Sequence, residues 1–382
     1  MRAALFCLFF CLLLPLLPVQ TAAEEEAENF GEQMPDEFGE LLDGLPDEIA
    51  ELLPPGLFSD DSGEVNAAVS EMSSFSYLLR SLLATVGLRL GDCLRLLAVI
   101  TGLLLLSAVF AALRGAFRSD SVGRAFSFCA SLAILGSLVT QGYACIQSVT
   151  GYFTTLNRLT AASVPLMGVL YAMGGNVTTA AASAGGLTVY MTLLEQFVGR
   201  SIVPFCGICL AFTLMSALES GVRLGTLLAT FKKQYTTVLT FLMMLLLAML
   251  AAQTTLAAKA DTLAMRSAKF AAGNLIPVVG GSVSELVRTV SAGVGYLRGT
   301  VGICGVLLIL LSLFPTLVEL LLYRMVWQIC ASVADMLGCD GERRLLDEIA
   351  SLTGYLIAAV SICSSVLLLA MTLLAHCSSA IG

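Results

Sequence analysis

This sequence predicts an all-α polytopic membrane protein, and three observations carry that prediction. Of its 382 residues, 57% are hydrophobic and only 13% charged. The mean hydropathy of +0.89 is far above that of a soluble domain. Charge is also segregated: 16 of the 28 acidic residues fall between Glu24 and Glu71, where there is no Lys or Arg, whereas from Arg80 onward 19 basic residues stand against 12 acidic ones. These features exclude a soluble globular enzyme. They also exclude nucleic acid as a partner, because the mildly basic remainder is apolar and lacks clustered Lys and Arg.

Residues 1–23 read as a secretory signal peptide: Arg2, an apolar run over 3–17, the breakers Pro15 and Pro18, and small Thr21 and Ala23 at a cleavage site. An uncleaved signal anchor is the alternative. Residues 24–74 then form an acidic segment whose export agrees with its lack of basic residues. Phe38, Leu41, Leu42, Leu45, Ile49, Leu52 and Leu53 recur at helical spacing, Pro46 suits a helix start, and Pro54-Pro55-Gly56 suits a stop. A small amphipathic helical segment is therefore expected, with a solvated linker as the alternative.

The rest, 75–382, reads as a helical membrane domain of about seven spans with interfacial amphipathic helices. The face Phe75, Leu78, Leu79, Leu82, Leu83, Val86 and Leu90 suits an interfacial helix ahead of the first span. The apolar runs are 96–113, 126–146, an irregular 164–198, 202–218, 238–258, 301–322 with Pro315 expected to kink it, and 355–375. Arg114, Arg118 and Arg124 should hold the first loop in the cytoplasm. Three later polar stretches are all basic: Arg223, Lys232 and Lys233; Lys259, Arg266, Lys269, Arg288 and Arg298; and Arg324, Arg343 and Arg344. They cannot all face the cytoplasm if each intervening segment crosses once. Some segment must then be re-entrant, interfacial or split; 283–297 and 345–352 are the best candidates for interfacial helices, and the pattern of amphipathic helix followed by span recurs at 75–113, 283–322 and 345–375.

Chemistry is sparse. The single histidine, His376, cannot assemble a metal site or a Ser–His relay, and no Walker loop is present. We expect no enzyme activity and no cofactor. Cys206 and Cys209 form a CxxC, but in an apolar run they serve as two small apolar residues on one helix face. Intramembrane acids are Glu195, Glu219 and Glu319, the last expected to pair with Tyr323 and Arg324. Gly168, Gly174, Gly175, Gly185 and Gly186, with Asn176 among them, describe a broken or closely packed helix; it either lines a passage or forms a helix–helix contact. Pro277, Gly280 and Gly281 should fix a turn after Arg266 and Lys269.

The stretch Met265-Arg-Ser-Ala-Lys-Phe270, leading through Asn274 to Ile276-Pro-Val-Val-Gly280 and an amphipathic helix with two spans, resembles the stage III sporulation protein AE family. The signal sequence, acidic segment and length agree with it. The resemblance implies a multi-pass component of the mother-cell membrane around the forespore. It would serve a channel-like, secretion-type complex needed for forespore development after engulfment. Implied partners are the other stage III sporulation operon proteins, including a secretion-type ATPase and ring-forming proteins, a forespore-membrane partner, and the lipid bilayer. The family has no catalytic residues to carry over. A stand-alone secondary transporter is the alternative.

Overall fold

The computed structural model describes residues 38–39, 42, 45, 47–50, 53–59, 61–113, 120–173, 176–194, 200–218, 224–275 and 280–376. The expected signal peptide lies outside these. All described elements are helical: α1 (Asp47–Ala50), a 3-10 turn (Pro55–Phe58), α2 (Ser62–Ser73), α3 (Phe75–Leu113), α4 (Asp120–Met173), α5 (Val177–Leu193), α6 (Ile202–Leu218), α7 (Leu224–Leu275), α8 (Gly280–Met336) and α9 (Asp340–His376). Among the described residues, four helices are long and apolar enough to cross a membrane: α3, α7, α8 and α9.

The acidic segment is folded where it is described. Phe38, Leu42, Leu45, Ile49, Leu53 and Leu57 are buried, so the helical spacing marks a packed face. Helix α1 starts directly after Pro46. The Asp61 side chain accepts from the Gly63 amide at 2.9 Å and caps α2. Ser74 then takes an extended backbone conformation and ends that helix, while its hydroxyl receives the Tyr77 amide in the first turn of α3.

One expectation needs correction. The interfacial helices at 75–90, 283–297 and 345–352 are not separate elements; each is the first part of a longer helix that includes the following span. Hydropathy changes within α3, α8 and α9, but no residue at these junctions stops the backbone ladder, and a continuous helix pairs the N–H and C=O groups there without help from water. Helix α8 also runs on through Pro315, and α4 through Pro165. The result is a set of long rods: α4 has 54 residues, α7 has 52 and α8 has 57.

Helix α8 is the axis of the bundle. Its apolar stretch is 89% buried, against 22% for α3 and α7, which carry the outward apolar faces. Trp327, the one tryptophan, is completely buried on it. Helices α8 and α9 form an antiparallel pair. A Cβ on Gly305 would lie 2.9 Å from the Met371 methyl, and one on Gly354 would lie 2.7 Å from the Arg324 guanidinium. Their turn is closed by Gly338 at φ +72°, with Gly338 N–H donating to Asp335 O at 3.1 Å and Cys339 N–H to Ala334 O at 2.9 Å. That double bond is the Schellman arrangement, which needs a left-handed residue at this position. Gly338→Val should therefore destabilise the bundle by about 1–2 kcal/mol, read as an earlier thermal unfolding of purified protein, whereas Gly341→Val, in open space, should cost less.

The side-chain pairs also set helix direction. Helix α3 runs parallel to α8, because Arg89 meets Glu319 at 3.9 Å while Ser107 near its end reaches Glu342 just past the α8–α9 turn at 3.0 Å. Helix α7 runs parallel to α9, through Lys232 with Glu348 and Tyr235 with Tyr355. Helix α5 folds back along α4: Tyr152 and Tyr190 reach adjacent residues of α9, Ser364 and Cys363. Helices α5 and α6 then line α7 in the opposite direction, through Thr178 with Asp261, Gly186 with Leu250, and Ser201 with Tyr235. This polarity divides the three basic stretches between the two ends of the bundle. Lys232 and Arg343 share one end of the bundle, and Lys259 and Arg266 lie at the other.

Candidate functional site: a broken helix latched by a buried aspartate

The irregular run 164–198 is broken between Met173, where α4 ends, and Val177, where α5 begins. Asn176 sits at the break, buried, and its backbone N–H donates to Tyr171 O at 2.8 Å. A helix start buried in this way exposes amides that need acceptors. They are supplied by Asp261 from α7. Its carboxylate accepts from Thr178 N at 3.1 Å, Thr179 N at 2.8 Å and Thr179 Oγ1 at 2.7 Å, and also from the Thr178 hydroxyl. Two amides, two hydroxyls and the positive end of α5 thus surround one carboxylate that is only 5% exposed.

Close packing extends down the same pair of helices. A Cβ added at Gly186 would clash with Leu250 Cδ1, so the missing side chain favours the close approach of α5 to α7. Gly168 and Gly185 face open space. Asp261 above and Gly186 below therefore join α5 to α7 by a cap and a close contact.

Three further buried contacts tie the rods together. Glu319 accepts from Ser148 Oγ at 3.1 Å and pairs with Arg89 at 3.9 Å, linking α8 to α4 and α3. The expected partners of Glu319 are thus replaced: Arg324 lies across Gly354 of α9, and Tyr323 stacks with Trp327. Lys232, buried on α7, reaches Glu348 at 3.4 Å and Ser351 at 3.2 Å on α9. Nearby, Phe205, Tyr235 and Tyr355 join α6, α7 and α9 through ring contacts of 4.7–5.6 Å. Single buried charges are costly, and each of these is paired or hydrogen-bonded across helices.

Of the residues singled out in the sequence, the structure brings Asn176 and Glu319 into buried contacts. Arg266 is exposed on α7. Lys269 lies in the last part of α7 and Gly280 opens α8, but their surroundings, like Gly174 and Pro277, fall outside the described residues. Asp261 was missed. Its signal is visible afterwards: it is the one acid in the 52 residues of α7. No group of three or more His, Cys, Asp or Glu side chains capable of holding a metal ion occurs among the described residues.

The sequence model of stage III sporulation protein AE matches residues 64–378. The chain belongs to this family. It is 24% identical over 360 residues to stage III sporulation protein AE of Bacillus subtilis (strain 168), an alignment that covers 92% of this chain and 88% of that one. No solved structure matches it. The matched span begins in α2 and ends after α9, so it takes in the whole helical bundle, including the capped break and the Glu319 contacts. Membership in the stage III sporulation protein AE family supports a role in the sporulation complex, and its apolar helices agree with a membrane protein.

Proposed function

We propose that this chain is a non-enzymatic, multi-pass subunit of the mother-cell membrane around the forespore. There it forms part of a secretion-like channel complex required after engulfment. The observation that carries this reading is the family match over the entire bundle. Its partners in this reading are the other stage III operon products, among them a secretion-type ATPase and ring-forming proteins, and a protein of the forespore membrane. The acidic segment behind the signal peptide is exported into the space between the two membranes. The end that carries Lys232 and Arg343 faces the cytoplasm, in keeping with the positive-inside rule. All seven apolar runs are membrane-embedded, with α5 and α6 forming one interrupted passage alongside α7. The broken, capped helix also suits a secondary transporter acting alone, since such proteins use interrupted helices.

A deletion strain separates the two. Loss of heat-resistant spores after normal engulfment, with unchanged vegetative growth, is the expected outcome. A vegetative uptake or growth defect would favour the transporter. Purification of the tagged chain from sporulating cells should also bring down the ATPase and ring-forming proteins; recovery of the chain by itself would overturn the complex.

A further inference from the structure

We infer that this chain self-associates side by side in the membrane, the acidic face of α2 in one copy docking on the basic stretch of α7 in the next. Val65, Ala68, Val69 and Met72 are buried, while Glu64 and Glu71 are exposed together along one flank of α2. On α7, Asp261 points inward while Lys259 and Arg266 are exposed. None of these four exposed charges takes part in an ion pair among the described residues.

The two patches stand at the same height. Thr300 Oγ1 on α8 meets Asn66 on α2 at 3.3 Å. The α8–α9 and α7–α9 pairs set Lys259 within about one helical turn, ~5 Å, of Thr300 along the bundle. Their main supports differ: α2 rests on α8 and α3, whereas α7 rests mainly on α5 and α9, with smaller contacts to α6 and α8. Copies of one membrane protein share orientation and depth. Rotation about the membrane normal therefore brings unlike faces together at equal height, which is the geometry of a heterologous interface.

Toward the membrane below, the faces are complementary in another way. Exposed Leu79 and Leu83 on α3 lie below α2, and exposed Met249 and Leu256 on α7 lie below Lys259. Exposed ion pairs contribute little affinity singly, so the charges select which faces meet and the apolar stretches hold them. The inference requires only that the bundle sits in a bilayer; it does not depend on the sporulation role.

The test uses the full-length chain in membranes, with native cysteines replaced, and two differently tagged copies. One carries Glu64→Cys and the other Lys259→Cys. A short bis-maleimide should link the two copies, and should not link Glu64→Cys to itself. Reversing charge in Glu64→Lys/Glu71→Lys should reduce the cross-linked fraction at least fivefold, and adding Lys259→Glu/Arg266→Glu should restore it, which also shows that the reversed chain folds. Absence of the mixed cross-link, linkage only between identical positions, linkage of the α2 cysteine to a different protein, or failure of the double reversal to restore the product would each overturn the inference.

Discussion

Replacing Asp261 by Leu is expected to lower the thermal stability of the purified protein by on the order of 5 °C and to abolish spore formation. The carboxylate accepts from two amides and two hydroxyls at the start of α5. A leucine side chain in its place would leave these donors buried without an acceptor. Loss of a cap costs about 1 kcal/mol, and each stranded buried donor adds about 1–3 kcal/mol. Partial relaxation would leave a net loss of roughly 3 kcal/mol, consistent with that shift for a chain of this size. Asp261→Asn retains an acceptor and should lose less. Unfolding is measurable with a thiol-reactive dye, because eight of the nine free cysteines described are buried. Unchanged melting and normal spore counts in Asp261→Leu would show that the cap is dispensable.

Gly186→Leu is expected to be at least as damaging, for the opposite reason. A Cβ here already clashes with Leu250 Cδ1, so the larger side chain has to displace the Leu250 side chain and is expected to push α5 away from α7, straining the cap above it. Shortening the facing side chain should relieve this. The double variant Gly186→Ala/Leu250→Ala should melt close to the native protein, while Gly186→Ala alone should melt earlier; the recovery measures direct contact. If Leu250→Ala and Gly186→Ala simply add their losses, the close approach does not govern packing here. The same Ala substitution at Gly185, which faces open space, is the matched control.

The helical class and the buried face of the acidic segment were legible in the sequence, because bilayer length and helical period leave marks that no partner is needed to read. Phe38, Leu42, Leu45 and Ile49 show this: their spacing alone identified the face that is buried. The break near Asn176 was legible too, from Gly and Thr gathered inside an apolar run. Its latch was not. Asp261 lies 82 residues from Thr179, and nothing local to either reveals the pairing. Glu319 was singled out as an acid in an apolar run, but Arg89 comes from a helix at the other end of the sequence, so nearby Arg324 was the natural partner to expect. Helix continuity was misread for a different reason. Hydropathy reports the solvent around a helix, whereas termination depends on caps and breakers, and the junctions inside α3, α8 and α9 carry none strong enough to stop the ladder.

The 57-residue helix at the centre of the bundle has a mechanical consequence. At 1.5 Å per residue it is about 85 Å long, more than twice the thickness of a bilayer's hydrocarbon core. Such a rod acts as a lever pivoted in the membrane: a tilt of about 5° displaces one tip by roughly 7 Å relative to the other. With α9 clamped to it by Gly305 against Met371 and Gly354 under Arg324, the two move as one stiff beam. A displacement imposed at one end of this beam would therefore be felt at the other end, about 85 Å away.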